Sequence, residues 1–251
     1  MKRSMLVLWL ATLLTRSAYA VDITTCDEIV PARETGVLLT DLAGCNSGVV
    51  LRERAALQMN GHTILGANAG VFCLGPRCSI AGPGEISGAT FGVFLYSAVK
   101  LTIVDVNIHD SSEEGIHCSG GQSCRLRATD LTLSRNGFGS TFPGGPEYSY
   151  NVSVHVVRGT NITVTDNAGF GVYADRFNIT GLIATGNGNA GLFAGRGRLV
   201  DSMVTGNNGF DSGIDIFTAR RPRLLNSTCG RSASGSPATT VGPPWGICTD
   251  D

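Results

Sequence analysis

The sequence predicts an all-β fold in which one chain winds into a parallel β-helix solenoid of about seven to eight coils, disulfide-stapled at both ends. Three observations carry this. First, glycine supplies 34 of 251 residues, about twice its usual share, and charged residues fall to 16% against a typical ~25%. Each glycine in a helix costs roughly 1 kcal/mol, so a helical bundle is disfavoured, while 42% hydrophobic residues and a formal charge of -1 belong to a folded core rather than a disordered chain. Second, a unit of glycine, apolar, any, apolar recurs from Gly70, Gly92, Gly115, Gly171, Gly191 and Gly213, in steps of 22, 23, 56, 20 and 22 residues. Third, β-branched runs such as 101–108, 131–133 and 199–204 lie between these units, and several end in asparagine: Asn136, Asn167, Asn187 and Asn207.

At the N-terminus, Lys2 and Arg3 precede the apolar run Leu6 to Leu14, and Ala18-Tyr19-Ala20 has the small-x-small form of a leader cleavage site. Residues 1–20 therefore read as a signal peptide, and the protein as secreted or periplasmic. The apolar run is too short to span a bilayer, and no membrane span is expected. Removing the leader takes three of 19 basic residues and none of the 20 acids, leaving a net charge of -4. That sum offers no basic excess to recruit nucleic acid. All eight cysteines lie beyond the leader, and an even count in an exported chain implies disulfides.

A period near 22 residues marks a solenoid whose repeats bury their apolar faces only against neighbours. A leucine-dominated consensus is absent, and propeller blades need roughly 40 residues or more. A β-helix remains, with residues 21–58 as an N-terminal cap segment, coils over 59–230 interrupted by an insertion near 139–152, and a C-terminal loop and last strand over 231–251. Glycines are expected to supply positive φ at the corners, and stacked asparagines to join neighbouring coils. Across about residues 55–230 this pattern resembles the right-handed parallel β-helix proteins of the pectin-lyase-like superfamily.

Side chains alternate faces along a strand. Positions one and three after each glycine (Val71 and Cys73, Val93 and Leu95, Ile116 and Cys118, Val172 and Ala174, Leu192 and Ala194, Ile214 and Ile216) should point inward. Cys73 and Cys118 then sit two coils apart, ~9.6 Å, beyond the ~7 Å reach of a bridge. Each has a partner past its next corner, which predicts Cys73–Cys78 and Cys118–Cys124, with Cys26–Cys45 and Cys229–Cys248 stapling the ends.

Positions two and four should point outward. The first such column reads Phe72, Phe94, His117, Thr141, Tyr173, Phe193 and Asp215; the second reads Leu74, Tyr96, Ser119, Asp175, Gly195 and Phe217, with Arg176 and Arg196 one residue later. Aromatic faces suit the C–H faces of sugars, so Phe72, Phe94, Tyr96, Phe193 and Phe217 become candidate binding residues for an extended polysaccharide. The alternative is that the insertion, with Tyr148 and Tyr150, covers the stripe as satellite core. Proton abstraction beside a carboxylate needs a base, an acid and a cation. His117 and Tyr173 are candidates for the first two roles, and Arg176 and Arg196 for clamping a uronate carboxylate. The resemblance implies a lyase or C5-epimerase acting on an acidic polysaccharide. The alternatives are a noncatalytic extracellular glycan-binding or structural module and a glycoside hydrolase using Asp175 and Asp215 as paired carboxylates.

Three motifs of the superfamily are missing. The only vicinal aspartates are Asp250-Asp251, Asp-Pro-His does not occur, and no acidic cluster offers calcium ligands. No cofactor or metal is expected, and a monomer is favoured. His62 reads as structural; Glu113 and Glu114 with His109 and Asp110 read as a solvated corner, with a cation site as the alternative, and Arg220, Arg221 and Arg223 as a corner or, equally, a site for an acidic glycan. The facing of His155 is not assignable from the sequence.

Overall fold

The computed structural model describes residues 20–96, 99–119, 124–137, 150–208, 213–220 and 222–234. Within them there is no helix, and all strand pairs are parallel, forming one parallel β-solenoid of about eight turns. Residues 1–19, residues 138–149 of the expected insertion region, and the C-terminal stretch with Cys248 lie outside the described residues. Pairing starts early: Ala20–Ile23 lies along Thr35–Leu38, and Thr35–Leu38 along Ala55–Gln58. The segment expected to be a cap is thus itself coiled.

The strand Phe170–Thr185 illustrates one turn. Residues 170–174 form the first face, 176–180 the second and 182–185 the third, with Asp175 and Gly181 at the corners. Val172, Ala174, Phe177, Ile179, Leu182 and Ala184 are all buried at 4% exposure or less, while Asp175, Arg176, Asn178 and Ile183 face out. The first face carries one apolar column over eight coils: Val49, Val71, Val93, Ile116, Val152, Val172, Leu192 and Ile216. The inward register read from the glycines therefore holds from Val71 to Leu192.

Glycines do supply positive φ at corners, as at Gly66, Gly88, Gly186 and Gly206, but the recurring first-face glycines serve another purpose. Gly48, Gly70, Gly92, Gly171 and Gly191 do not have positive φ. A Cβ at Gly92 would lie 2.5 Å from the Gly115 carbonyl oxygen and 2.3 Å from Ile108 Cγ2; one at Gly70 would lie 2.6 Å from the Gly92 oxygen. Glycine recurs because the neighbouring coil's backbone occupies the space of a side chain.

Asparagines do stack. Asn136, Asn167, Asn187 and Asn207 are buried at the corner that leads into the first face. Each donates both its backbone N–H and its side-chain amide to Oδ1 of the residue one coil on: Asn136 to Asn167 at 2.9 and 3.2 Å, Asn167 to Asn187 at 3.3 and 2.8 Å, Asn187 to Asn207 at 3.1 and 2.7 Å. The ladder ends on Asp215, whose Oδ1 accepts from Asn207 N and Nδ2 at 2.8 and 2.7 Å.

Asp215 corrects the sequence reading. Leu192 pairs with Ile216 and Phe193 with Phe217, so Asp215, not Gly213, occupies the recurring glycine's place. Gly213 has φ 68° and nothing near its Cβ position; it is a turn glycine two residues early. Asp215 is consequently fully buried rather than outward, and Phe217 moves into the first outward column.

The disulfides Cys26–Cys45 and Cys118–Cys124 are present, with Cα separations of 5.3 and 6.2 Å. Cys229 is also disulfide-bonded, and its expected partner Cys248 lies outside the described residues. Cys73 and Cys78 are the correction: both are buried free thiols in hydrogen-bond contact across their corner. Burial pushes the Cys73 thiol well up, and the Cys78 contact adds to this.

Candidate functional site

Two outward surfaces run along the solenoid. On the first face the column reads Phe72, Phe94, His117, Ser153, Tyr173, Phe193, Phe217. Ser153 takes the place expected for Thr141, which lies outside the described residues. Stacking follows from the in-register spacing: Phe72 on Phe94 at 5.1 Å, Tyr173 on Phe193 at 5.2 Å, and Phe193 on Phe217 at 5.2 Å between centroids. Tyr96 stacks on Phe72 at 6.5 Å and is exposed. The His117 ring tilts against Phe91 at 4.8 Å and Phe94 at 5.0 Å, and its Nδ1 lies 3.1 Å from Glu114 Oε2. Burial raises the Glu114 carboxyl, with His117 opposing that shift. Most of these rings are half-buried by one another and Phe217 is fully buried, so much of the expected sugar-stacking area is spent on ring–ring packing.

The second face presents cations. Its outward edge reads Arg54, Arg77, Lys100, Arg125, Val156, Arg176, Arg196 in successive coils. Two residues further along each strand, Arg127 and Arg158 align, as do Arg198 and Arg223. The local cause is plain alternation. In Lys100-Leu101-Thr102-Ile103, Arg125-Leu126-Arg127-Ala128 and Arg176-Phe177-Asn178-Ile179, every second residue is buried, which turns the basic and polar residues out. All of them except Arg198 line a groove of about 1140 Å³ that also takes in Arg220 and contains no Asp or Glu among its described lining residues. Arg54 lies 3.7 Å from Glu53; the other groove cations make no ion pair with a described residue.

His155 lines this groove at the one coil where Val156 interrupts the cation column. Its Nδ1 is hydrogen-bonded to Oδ2 of Asp175, the corner residue one coil on, and about a third of its side chain is exposed. Its Nε2 meets no described residue.

The sequence-derived candidates therefore separate. Arg176 and Arg196 belong to the groove, and Asp175 holds the histidine at its edge. His117 and Tyr173 belong to the neighbouring aromatic face and do not line the groove. Asp215 is inside, so it forms no surface carboxylate pair with Asp175. Beyond Arg176 and Arg196, the basic column was not expected, because the charge sum hides it. Its signal was nonetheless present, as a Lys or Arg before the second strand of nearly every coil at the period of the glycines.

The polar corner at His109 is a closed ion cluster. His109 Nε2 lies 2.6 Å from Glu85 Oε1, and Arg135 Nε and Nη2 both donate to the Asp110 carboxylate at 2.8 Å. Arg135 chiefly, with help from His109, holds the Asp110 carboxyl down at about 2. Among the described residues no group of His, Cys, Asp and Glu is arranged to hold a metal. Comparison with known protein families, curated proteins and solved structures finds no match to the chain.

Proposed function

We propose that this chain is an exported β-solenoid that binds an extended acidic polysaccharide along its cationic groove. The observation that carries the reading is one cation per coil over six of seven successive coils, with no carboxylate among the described lining residues. Coils rise by ~4.8 Å, close to the length of one sugar in an extended chain, so each uronate or sulfated unit meets its own guanidinium or ammonium. Arginine adds the bidentate geometry that suits carboxylate and sulfate. A single-stranded nucleic acid would instead call for exposed rings interleaved with the cations; the groove's aromatic side chain, Phe177, is buried.

The resemblance to pectin-lyase-like proteins brings elimination or epimerisation at uronates as the associated chemistry, and membership of that superfamily stands as part of this proposal. The noncatalytic reading shares the same groove and differs only in the fate of the bound polymer. A hydrolase reading loses its second carboxylate with the burial of Asp215.

Titration calorimetry with size-defined polymannuronate, polygalacturonate and heparin oligosaccharides at several salt concentrations tests the binding. Affinity should rise with length up to about seven units and fall with salt, and replacing Arg176 and Arg196 together by serine should weaken binding and flatten its salt dependence. Equal binding of neutral oligosaccharides, or affinity indifferent to salt, would overturn the proposal; tighter binding of single-stranded DNA of matched charge would reassign the partner.

A further inference from the structure

We infer that His155, oriented by Asp175, is the proton-transfer group of the groove, and that it cleaves the bound polymer by elimination at a uronate. This rests on the polyanion reading above. Along the cation column one coil alone lacks a charge, and the residue beside that gap which lines the groove is a histidine. A continuous ladder of arginines binds but has no group that exchanges protons near neutral pH; imidazole does. The Asp175 carboxylate accepts from Nδ1, which fixes the tautomer with the Nε2 lone pair available. Nε2 has no described partner, and the ring is partly exposed.

Arg125 and Arg176 flank this coil on either side, and Arg158 stands on the same coil, two residues past Val156. The flanking pair can seat the carboxylates of the neighbouring sugars, leaving Arg158 to neutralise the reacting one. Nε2 then takes the C5 proton, which the neutralised carboxylate acidifies. The electron pair left behind becomes the C4–C5 double bond as the C4–O bond breaks. The proton on Nε2 passes to the departing glycosidic oxygen, which becomes the reducing end of the other fragment. Histidine ends as it began, and no co-reactant is consumed. Epimerisation would need a second proton donor on the opposite side of the ring. The groove's nearest lysine on the cation column, Lys100, is two coils away, ~9.6 Å, and the remaining cations are arginines, which do not give up protons.

The assignment is tested with the intact protein and each uronate polymer that it binds, following the ultraviolet absorbance of the unsaturated product. Wild type should generate the product, and His155→Gln should reduce the rate by roughly 10²–10⁴-fold with the oligosaccharide dissociation constant unchanged. Asp175→Asn should lower the rate less and shift its pH profile. Retained binding by both variants verifies that they fold. Product formation by His155→Gln within tenfold of wild type, or bound polymer that is never cleaved, would overturn the inference while leaving the groove's binding role intact; failure of every polymer to bind would end both.

Discussion

Replacing Asn187 by alanine is the sharpest test of what holds the coils together. Its Oδ1 accepts from Asn167 N and Nδ2, while its Nδ2 donates to Asn207 Oδ1 at 2.7 Å and Val164 O at 3.1 Å, and the residue is 1% exposed. Alanine removes this amide and leaves the Asn167 backbone N–H and the Val164 carbonyl without it, in a place water does not reach. A buried group stripped of its partner costs about 1–3 kcal/mol, so two such groups give about 2–6 kcal/mol. Against a total stability of roughly 5–15 kcal/mol, that is a large fraction. Urea unfolding should show it as a midpoint lowered by roughly 1–2 M with little change in slope, taking a slope near 3 kcal/mol/M. Asn178→Ala serves as the comparison, since Asn178 is exposed on the second face and should change stability by no more than ~0.5 kcal/mol. If both substitutions shift the midpoint equally, the ladder is ornamental and apolar stacking alone joins the coils.

Three further outcomes are expected. Alkylation should leave Cys73 and Cys78 unmodified in the native protein and label both after denaturation without reductant, as counted by mass spectrometry; two missing labels would mean that they are bridged. Gly92→Ala should destabilise more than Gly66→Ala in thermal melts. The first forces a Cβ to 2.5 Å from a neighbouring carbonyl, whereas the second meets open space and bears only the strain of φ +64°, about 1–2 kcal/mol. Asp110 titrates at about 2 in the folded chain against an ordinary 3.8. Its contribution is therefore fully present above about pH 4 and lost as pH falls towards 2. Asp110→Asn should flatten the acid limb of the stability curve over that window, and an unchanged limb would remove Arg135 as its cause.

The coil register was legible because close coil-to-coil contact leaves a residue-level trace: glycine recurs where the next backbone passes closely, and asparagine, which both donates and accepts, recurs along a buried column. The same logic explains the misreading at Gly213. Gly213 imitates the repeat, but it is a positive-φ turn glycine, and the position that the ladder needs is filled by Asp215, which accepts from Asn207. Spacing alone cannot separate a glycine chosen for its missing side chain from one chosen for its φ. Cys73 and Cys78 failed for a related reason, since proximity across a corner was legible and the bonding state of two buried sulfurs was not. His155 was beyond reach because the insertion before it left its register unknown; pairing of Val154 with Ala174 and Val156 with Arg176 settles it.

The groove itself carries the most general lesson about charge in a solenoid. Nine of the twelve described non-glycine residues with positive φ are Asp or Asn, among them Asp105, Asp110, Asp130, Asp166 and Asp201, because short polar side chains tolerate that conformation. The coil corners thus draw in acids for backbone reasons. Strand positions have no such demand, and the long stems of Arg and Lys lie well over a pleated surface. The two preferences repeat every coil, so acids collect along the corners while cations collect along a face, and the sum stays near zero. Screening acts over ~8 Å at physiological salt, comparable to less than two coils, so a bound polymer feels the nearest arginines far more than the distant corners. A chain with a formal charge of -1 therefore presents a strongly cationic track to anything laid along its axis.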